Sequence, residues 1–421
     1  MKRFGFWTVL MIVGVLMTDP TYAESPVTIT GEVRGRFEAD KKRFAEDAHT
    51  QTFTLLRTRV GVLGQVNENV SGFVQFQDSR MLGGGVTFTE DGQSGSLVNK
   101  ANVDVHQAFV QLDELWAGGP GLKAGRFELN LGNQRVFGAV GWHNIGRSWE
   151  GVQSFLNRET FRADAFWLKR TELNDETANN DYDILGGNLV FRRMDAEVFA
   201  IYEHEYYTAL SGPPFLLERM NLGFFIDRQF QRVRIVSNGV VQFGEYNTYY
   251  INAAVLRDIL AYLLTAEVEI KLDARVKPKL SAGFDYASGD DTPSDNDRST
   301  YNNLYYTGHK FRGHMDYFIT SRPEGLLDLI ARGSISPAPG WRLGLDAHYF
   351  RSAADYLTEA GEDTNAIGAE FDLHASTTRV AGANIAGGAS VFFPSEDFAG
   401  ADNEPGLWGY LMVTVQFGQD D

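Results

Sequence analysis

Apolar and polar residues alternate along most of the chain. In "VTITGEVRGRFE" Ile29, Val33 and Phe37 take one side, and Thr30, Glu32, Arg34, Arg36 and Glu38 take the other. "AEVEIKLD" sets Ala266, Val268, Ile270 and Leu272 against Glu267, Glu269, Lys271 and Asp273. "WRLGLDAHYF" opposes Trp341, Leu343, Leu345, Ala347 and Tyr349 to Arg342, Asp346 and His348. A period of two is the period of a strand. Helical periodicity is almost absent, so the predicted class is all-β.

About eighteen such segments of roughly ten residues or more follow one another, the length a tilted strand needs to cross a bilayer. They begin near Pro26, Thr50, Asn69, Ala101, Gly119, Ser148, Thr160, Asp181, Asp195, Leu216, Gln231, Ile259, Val276, Gly325, Gly340, Ala366, Val380 and Gly406. Their connections alternate in length. "NEN" (67–69), "NR" (157–158), "RM" (193–194) and "PAP" (337–339) are short; 39–49, 82–100 and 289–324 are long and polar. Short periplasmic turns facing long external loops mark a transmembrane antiparallel β-barrel, whereas a soluble sandwich has no reason to sort loops by parity. "LWGYLMVTVQF" reads as the closing strand, with Leu411, Val413, Val415 and Phe417 on one face.

The ends agree with this picture. Lys2 and Arg3 precede an apolar run to Met17, and Thr21-Tyr22-Ala23 is a small-x-small cleavage signal, so residues 1–23 are expected to be a secretory signal peptide and 24–421 one barrel domain. No other apolar run is long enough for a membrane helix. The formal net charge is −17, which argues against nucleic-acid binding because phosphate recognition needs a basic stripe. The absence of cysteine excludes a disulfide scaffold and suits a chain that crosses an oxidising periplasm. The expected location is the outer membrane of a Gram-negative-type bacterium, among lipid and lipopolysaccharide.

Parity then assigns the charges. An Arg or Lys on the lipid face near the midplane costs roughly 2–4 kcal/mol, so the polar rows should line the lumen. This places Arg34, Arg36, Arg57, Arg59, Arg126, Glu128, Asn130, Arg232, Arg234 and Arg342 inside, with Phe127, Leu129 and Leu131 toward lipid. Glu32, Glu38, Glu267, Glu269, Asp285 and Asp346 enter the same lumen. Two readings follow. The arginines brace the wall by pairing with these acids, or they form a cationic constriction for carboxylate-bearing solutes.

Four stretches carry a family resemblance: "LLRTRVGV" (55–62), "VDVHQAFVQL" (103–112), "GRFELNLGNQRVFGAVGWHNIGRSWEGV" (125–152) and "YASGDD…YNNLYYTGHKFRGHMDYF" (286–318). The chain resembles the alginate-export family of outer-membrane barrels over nearly its whole mature length. The resemblance implies a monomeric eighteen-stranded channel for an anionic sugar polymer or oligomer, with an arginine-rich constriction at Arg57, Arg59, Arg126, Arg135 and Arg147. A porin for small organic anions is the alternative. The stretch 132–146 is expected to be an external loop that folds inward.

Two further sites invite chemistry. "SGDDTPSDND" clusters Asp290, Asp291, Asp295 and Asp297; such carboxylates suit a hard cation, Ca²⁺, although the spacing is not that of the twelve-residue calcium loop, and a solvated acidic loop is the competing reading. No other cofactor is implied. His309 and His314 lack a second ligand set and are expected to help seat the long loop. Ser148 lies near His143, but there is no Gly-x-Ser-x-Gly elbow, so the chain reads as a channel and not an enzyme.

Overall fold

The protein's structure, a computed structural model, describes residues 26–82, 103–174, 178–209, 214–250, 253–292, 297–400 and 403–418. The expected signal peptide lies outside these residues. The strands are β1 (Val27–Lys41), β2 (Gln51–Asn67), β3 (Val70–Met81), β4 (Asp104–Leu112), β5 (Gly121–Phe127) and β6 (Trp149–Asn157). There follow β7 (Phe161–Asn174), β8 (Ala178–Phe191), β9 (Ala196–Ala209), β10 (Phe215–Phe230), β11 (Val233–Tyr250), β12 (Ala253–Lys271) and β13 (Lys279–Ala287). A two-residue β14 (Asp297–Arg298) precedes β15 (Leu326–Ile335), β16 (Trp341–Leu357), β17 (Asp363–Thr377), β18 (Ala383–Pro394) and β19 (Gly406–Phe417).

Consecutive wall strands pair antiparallel, and β1 pairs with β19 from Gly31↔Phe417 to Lys41↔Leu407, which closes the barrel. Residues 297–298 lie inside the β13–β15 connection and pair parallel with β12. The wall therefore has eighteen strands, in agreement with the alternation. Closure removes the unpaired edges that an open sheet would expose.

Burial is inverted relative to a soluble protein. On β1, Val33 and Phe37 are 40% and 44% exposed, while Arg34 and Arg36 between them are 4% exposed. The apolar rows face outward, and no helix among the described residues is long and apolar enough to cross a membrane.

The interior is not a bare polar tube. Residues 128–148, between β5 and β6, and 288–292 and 297–325, between β13 and β15, fold inward and zip together. Tyr305 N–H donates to Val136 O (3.0 Å), Gly138 N–H to Tyr305 O (2.9 Å) and Thr307 N–H to Gln134 O (3.0 Å). Gly138 is required at this approach, because a Cβ there would sit 2.1 Å from Thr307 Oγ1. Two apolar clusters seat the loops. Phe137 and Tyr305 pack with the wall residues Phe166, Leu168, Ile184 and Ile201, and Met315 and Phe318 pack with Phe350, Ile367 and Phe392. Burying each such loop side chain contributes about 2 kcal/mol, whereas a buried ion pair contributes about zero net. Apolar burial holds the loops in; the ion pairs set where they sit.

Strand parity fails in β5 and the residues after it. Phe127, Leu129 and Leu131, expected toward lipid, are buried in the first cluster. β5 stops at Phe127, so residues 128–131 belong to the inward loop and their alternation is not that of a strand. Within β5 the outward row is Leu122, Ala124 and Arg126, in register with Val152 and Glu150 of β6.

Candidate functional site

The β1–β2 register sets Arg34 directly opposite Arg57, and Glu32 opposite Arg59. Like charges placed so would repel, but both guanidiniums converge on the inward loop. Arg34 donates to Gly141 O (2.7 Å) and His143 O (3.0 Å). Arg57 donates to the same two carbonyls at 3.0 Å each and pairs with Glu32 at 2.7 Å. Arg36 donates to Trp142 O, stacks on its ring at 4.0 Å and pairs with Glu38 at 2.7 Å. Arg59 bonds Gln77 (2.6 Å), Glu128 (3.3 Å) and Ile145 O (3.4 Å), and Glu128 also meets His106 Nε2 at 2.7 Å. These four arginines do point inward, but their donors are used to fasten residues 141–145 to the wall.

Arg135 is likewise committed. Its guanidinium lies 2.8 Å from Asp285, which also accepts from Arg312 Nε at 3.1 Å, and it stacks on Phe311 at 3.8 Å. This buried knot ties both loops to β13. Arg126, expected in a lumen row, occupies the outward row because β5 has the reverse phase, and it pairs with Glu150 at 2.7 Å, the two half-exposed side chains reaching the rim of the cavity described next. Arg232, expected in a lumen row, falls in the 231–232 turn, because β11 begins at Val233; it pairs with Asp273 in solvent at 3.2 Å. Arg234 does face inward and grips Asp227 with two bonds of 2.6 Å.

Between the loops and strands β6 to β12 lies a cavity of about 630 Å³. A smaller one of about 420 Å³ adjoins it across shared Arg147, Arg298, Asn302 and Leu304. Most charges of the larger cavity are neutralised locally. Arg219 pairs with Glu203 at 2.8 Å, and Glu203 also accepts from Tyr182 (2.7 Å), Tyr305 (2.9 Å) and Asn221 (3.0 Å). Lys169 meets Asp181, Asp183 and Glu172 at 3.0–3.3 Å.

Three cations are held differently. Arg170 sits over Tyr182 at 4.6 Å and beside Tyr305 at 5.5 Å. Arg298 sits over Tyr246 at 5.0 Å. Arg147 lies 5.9 Å from the Tyr305 ring, and its bonds, to the carbonyls of Gly138, Tyr305 and Tyr306, all leave from Nη1. None of the three has a carboxylate ion pair among the described residues, and Glu205 is the one lining carboxylate in the same condition. A ring face orients a guanidinium without consuming its in-plane donors. Burial, with Arg170 nearby, pulls Arg147 down to about 10, against the opposing pull of Tyr305; it therefore remains charged at neutral pH. The cavity offers fork-shaped donors among tyrosines, a match for a carboxylate on a ring.

Sequence reasoning found Arg147 and missed Arg170 and Arg298. Arg170 follows Lys169 in "FWLKRTEL", where parity alone could have placed it inside; nothing in the acidic loop marks Arg298. In that loop Asp290 accepts from Thr292 N–H at 3.0 Å and Asp291 from the Thr292 hydroxyl at 3.2 Å, as turn residues do. Asp297 lies in β14, and Asp295 falls outside the described residues. Among the described residues no group of three His, Cys, Asp or Glu is placed to hold a metal ion. His309 stacks on Trp142 at 3.8 Å and meets Asp316 at 2.9 Å, a loop-seating role. The buried Ser148 hydroxyl has no hydrogen-bond partner, so it forms no pair with His143.

Solved structures share this architecture. Pseudomonas aeruginosa OccK9 (OpdG) aligns over 93% of this chain and 98% of its own, with a TM-score of 0.59 at 11% identity. OccK2 (OpdF) of the same organism, crystallised with glucuronate, covers 94% and 99% with a TM-score of 0.54 at 12% identity. P. aeruginosa OpdK with vanillate covers 93% and 98% with a TM-score of 0.57 at 9% identity. At such identities the likeness is one of fold. Comparison with curated protein sequences yields no match. The family model described as "Alginate export" matches residues 25–404. With that match over most of the chain, and a closed eighteen-stranded barrel whose apolar rows face outward, the chain belongs to the alginate-export family of outer-membrane β-barrels.

Proposed function

We propose that the protein is a monomeric outer-membrane channel for small organic anions that carry a carboxylate on a ring-shaped body, such as uronates or aromatic acids. The observation that carries this reading is the set of Arg147, Arg170 and Arg298, placed by tyrosine faces and without carboxylate partners among the described residues, around a cavity of about 630 Å³. That volume falls in the range that encloses a small molecule. Glucuronate in OccK2 and vanillate in OpdK, two structures of like fold, are solutes of this class. An anionic polymer such as alginate keeps one observation in its favour, the family match; its uronate units present the same group to the same arginines.

The test is planar-bilayer recording with glucuronate as blocker. Wild type should prefer anions and be blocked. The Arg147→Gln, Arg298→Gln double variant should need about tenfold more glucuronate, since each lost charge contact weakens binding several-fold. Unchanged block and unchanged ion selectivity in that variant would sink the reading.

A further inference from the structure

A third cavity, of about 300 Å³, lies at the opposite end of the lumen. Its wall residues sit where strands meet short turns: Arg234 two residues beyond the 231–232 turn, Lys279 at the start of β13, Arg342 at the start of β16. Short turns are periplasmic in such barrels, so this cavity faces the periplasm. Its lining brings five Lys or Arg together with Glu267, Glu269 and Asp346.

All three carboxylates are already engaged. Glu267 pairs with Arg332 and accepts from Ser281 at 2.6 Å; Asp346 takes Arg332 at 3.3 Å and His374 at 3.6 Å; Glu269 takes Lys279 at 3.6 Å. Arg234 is satisfied by Asp227, outside the lining. Two cations are left over. Arg342 is exposed to the cavity with no ion pair among the described residues. Lys310 has none either; its ammonium donates to Asn133 O at 3.1 Å. Burial, then Arg135 and Arg234, push Lys310 below its usual range, so a bound anion there would relieve an electrostatic cost.

Lys310 is not a wall residue. It comes from the inward segment 297–325, which supplies Arg298 and Tyr305 to the upper cavity, and it flanks Phe311 and Arg312 of the buried knot. One clamped loop thus presents cations to both cavities. Resting on the reading of the upper cavity as an anion site, we infer that Lys310 and Arg342 form a second, periplasmic-side station for carboxylates, in series with Arg147, Arg170 and Arg298. A solute bearing several carboxylates can then be held at either end of the lumen, while a monocarboxylate must pass from one station to the next.

Side-specific block tests this. The full chain is inserted in planar bilayers with known orientation, and trigalacturonate is added to one side at a time. In wild type both additions block. In the Lys310→Gln, Arg342→Gln double variant, half-block from the periplasmic side should need about tenfold more trigalacturonate, with extracellular-side block unchanged. Arg342→Gln alone, at a strand end away from the knot, should shift the periplasmic value about threefold, and it serves if the double variant does not fold. Equal periplasmic block in wild type and variants overturns the second station and leaves the upper site standing. No block of wild type from either side overturns both.

Discussion

Asp285→Asn perturbs the knot without touching either cavity's unpaired cations. Asp285 is fully buried, and one oxygen serves both Arg135 (2.8 Å) and Arg312 (3.1 Å). Neutralising it leaves two adjacent buried guanidiniums without a counter-charge. Removing one partner of a buried pair costs about 3–5 kcal/mol. Asparagine keeps the volume and can still accept one hydrogen bond, a return of about 1 kcal/mol, so the expected loss is about 3 kcal/mol. The loss should appear in urea titration of the detergent-solubilised barrel. It should also appear as open-channel noise, because loop segments 128–148 and 297–325 lose a common anchor. Glucuronate block should weaken too, since Arg147 and Arg298 ride on those loops. In the Asp285→Asn background, Arg135→Gln should cost less than in wild type, because it then relieves the repulsion between two uncompensated guanidiniums. A stability change under about 1 kcal/mol with a quiet channel would refute the knot as the loops' anchor and reopen Arg135 as a solute contact.

Arg57→Ala should destabilise by about 3 kcal/mol, because it strands Glu32 and removes two bonds to loop carbonyls, while ion selectivity stays as in wild type; a selectivity change at constant stability would contradict the clamp assignment. Acidification should loosen the loops. Burial holds the His143 and His314 imidazoles down at about 4, below their ordinary 6.5, so the assembled loops bind fewer protons than released ones between those values. Their contribution is present above pH 6.5 and is lost as pH falls toward 4. Channel recordings at pH 7.5 and 4.5 should show more closures or noise at the lower value, and the effect should flatten in a His143→Gln, His314→Gln variant.

The wall was legible because parity carries an energy: an arginine on the lipid face is expensive, so Arg34, Arg36, Arg57, Arg59 and Arg234 could be turned inward from their strand phase alone. The errors came in β5, whose phase is the reverse of that expected, with Phe127 inward and Arg126 outward, and where the backbone stops being a strand. Leu129 and Leu131 alternate after β5 has ended, and Arg232 alternates before β11 has begun. The division of labour among the inward arginines was not legible. Arg34 finds its carbonyl 107 residues away, and Arg147 and Tyr305 are 158 apart. No local pattern encodes which guanidinium meets a backbone oxygen and which a ring, because that choice is made by how two inward loops pack on distant strands. The motif "GRFELNLGNQRVFGAVGWHNIGRSWEG" shows both outcomes: it supplies the Gly141, Trp142 and His143 carbonyls that take donors of Arg34, Arg36 and Arg57, and Arg147, which keeps two of its nitrogens for the cavity.

Partner type then separates structure from function among chemically identical side chains. A guanidinium clamped on backbone carbonyls, in Arg36 and Arg57 with a carboxylate as well, has most of its donors spent, and a solute would have to break those bonds to use it. A guanidinium laid on a tyrosine keeps donors to spare, as Arg147 does with only Nη1 bonded, and a carboxylate can add to it at little cost. In this barrel the first kind clusters on β1 and β2, where residues 141–145 are fastened, and the second kind clusters between β6 and β12, where the space is. An anion channel built this way can hold an arginine-rich lumen and still present only a few sites strong enough to bind and weak enough to release.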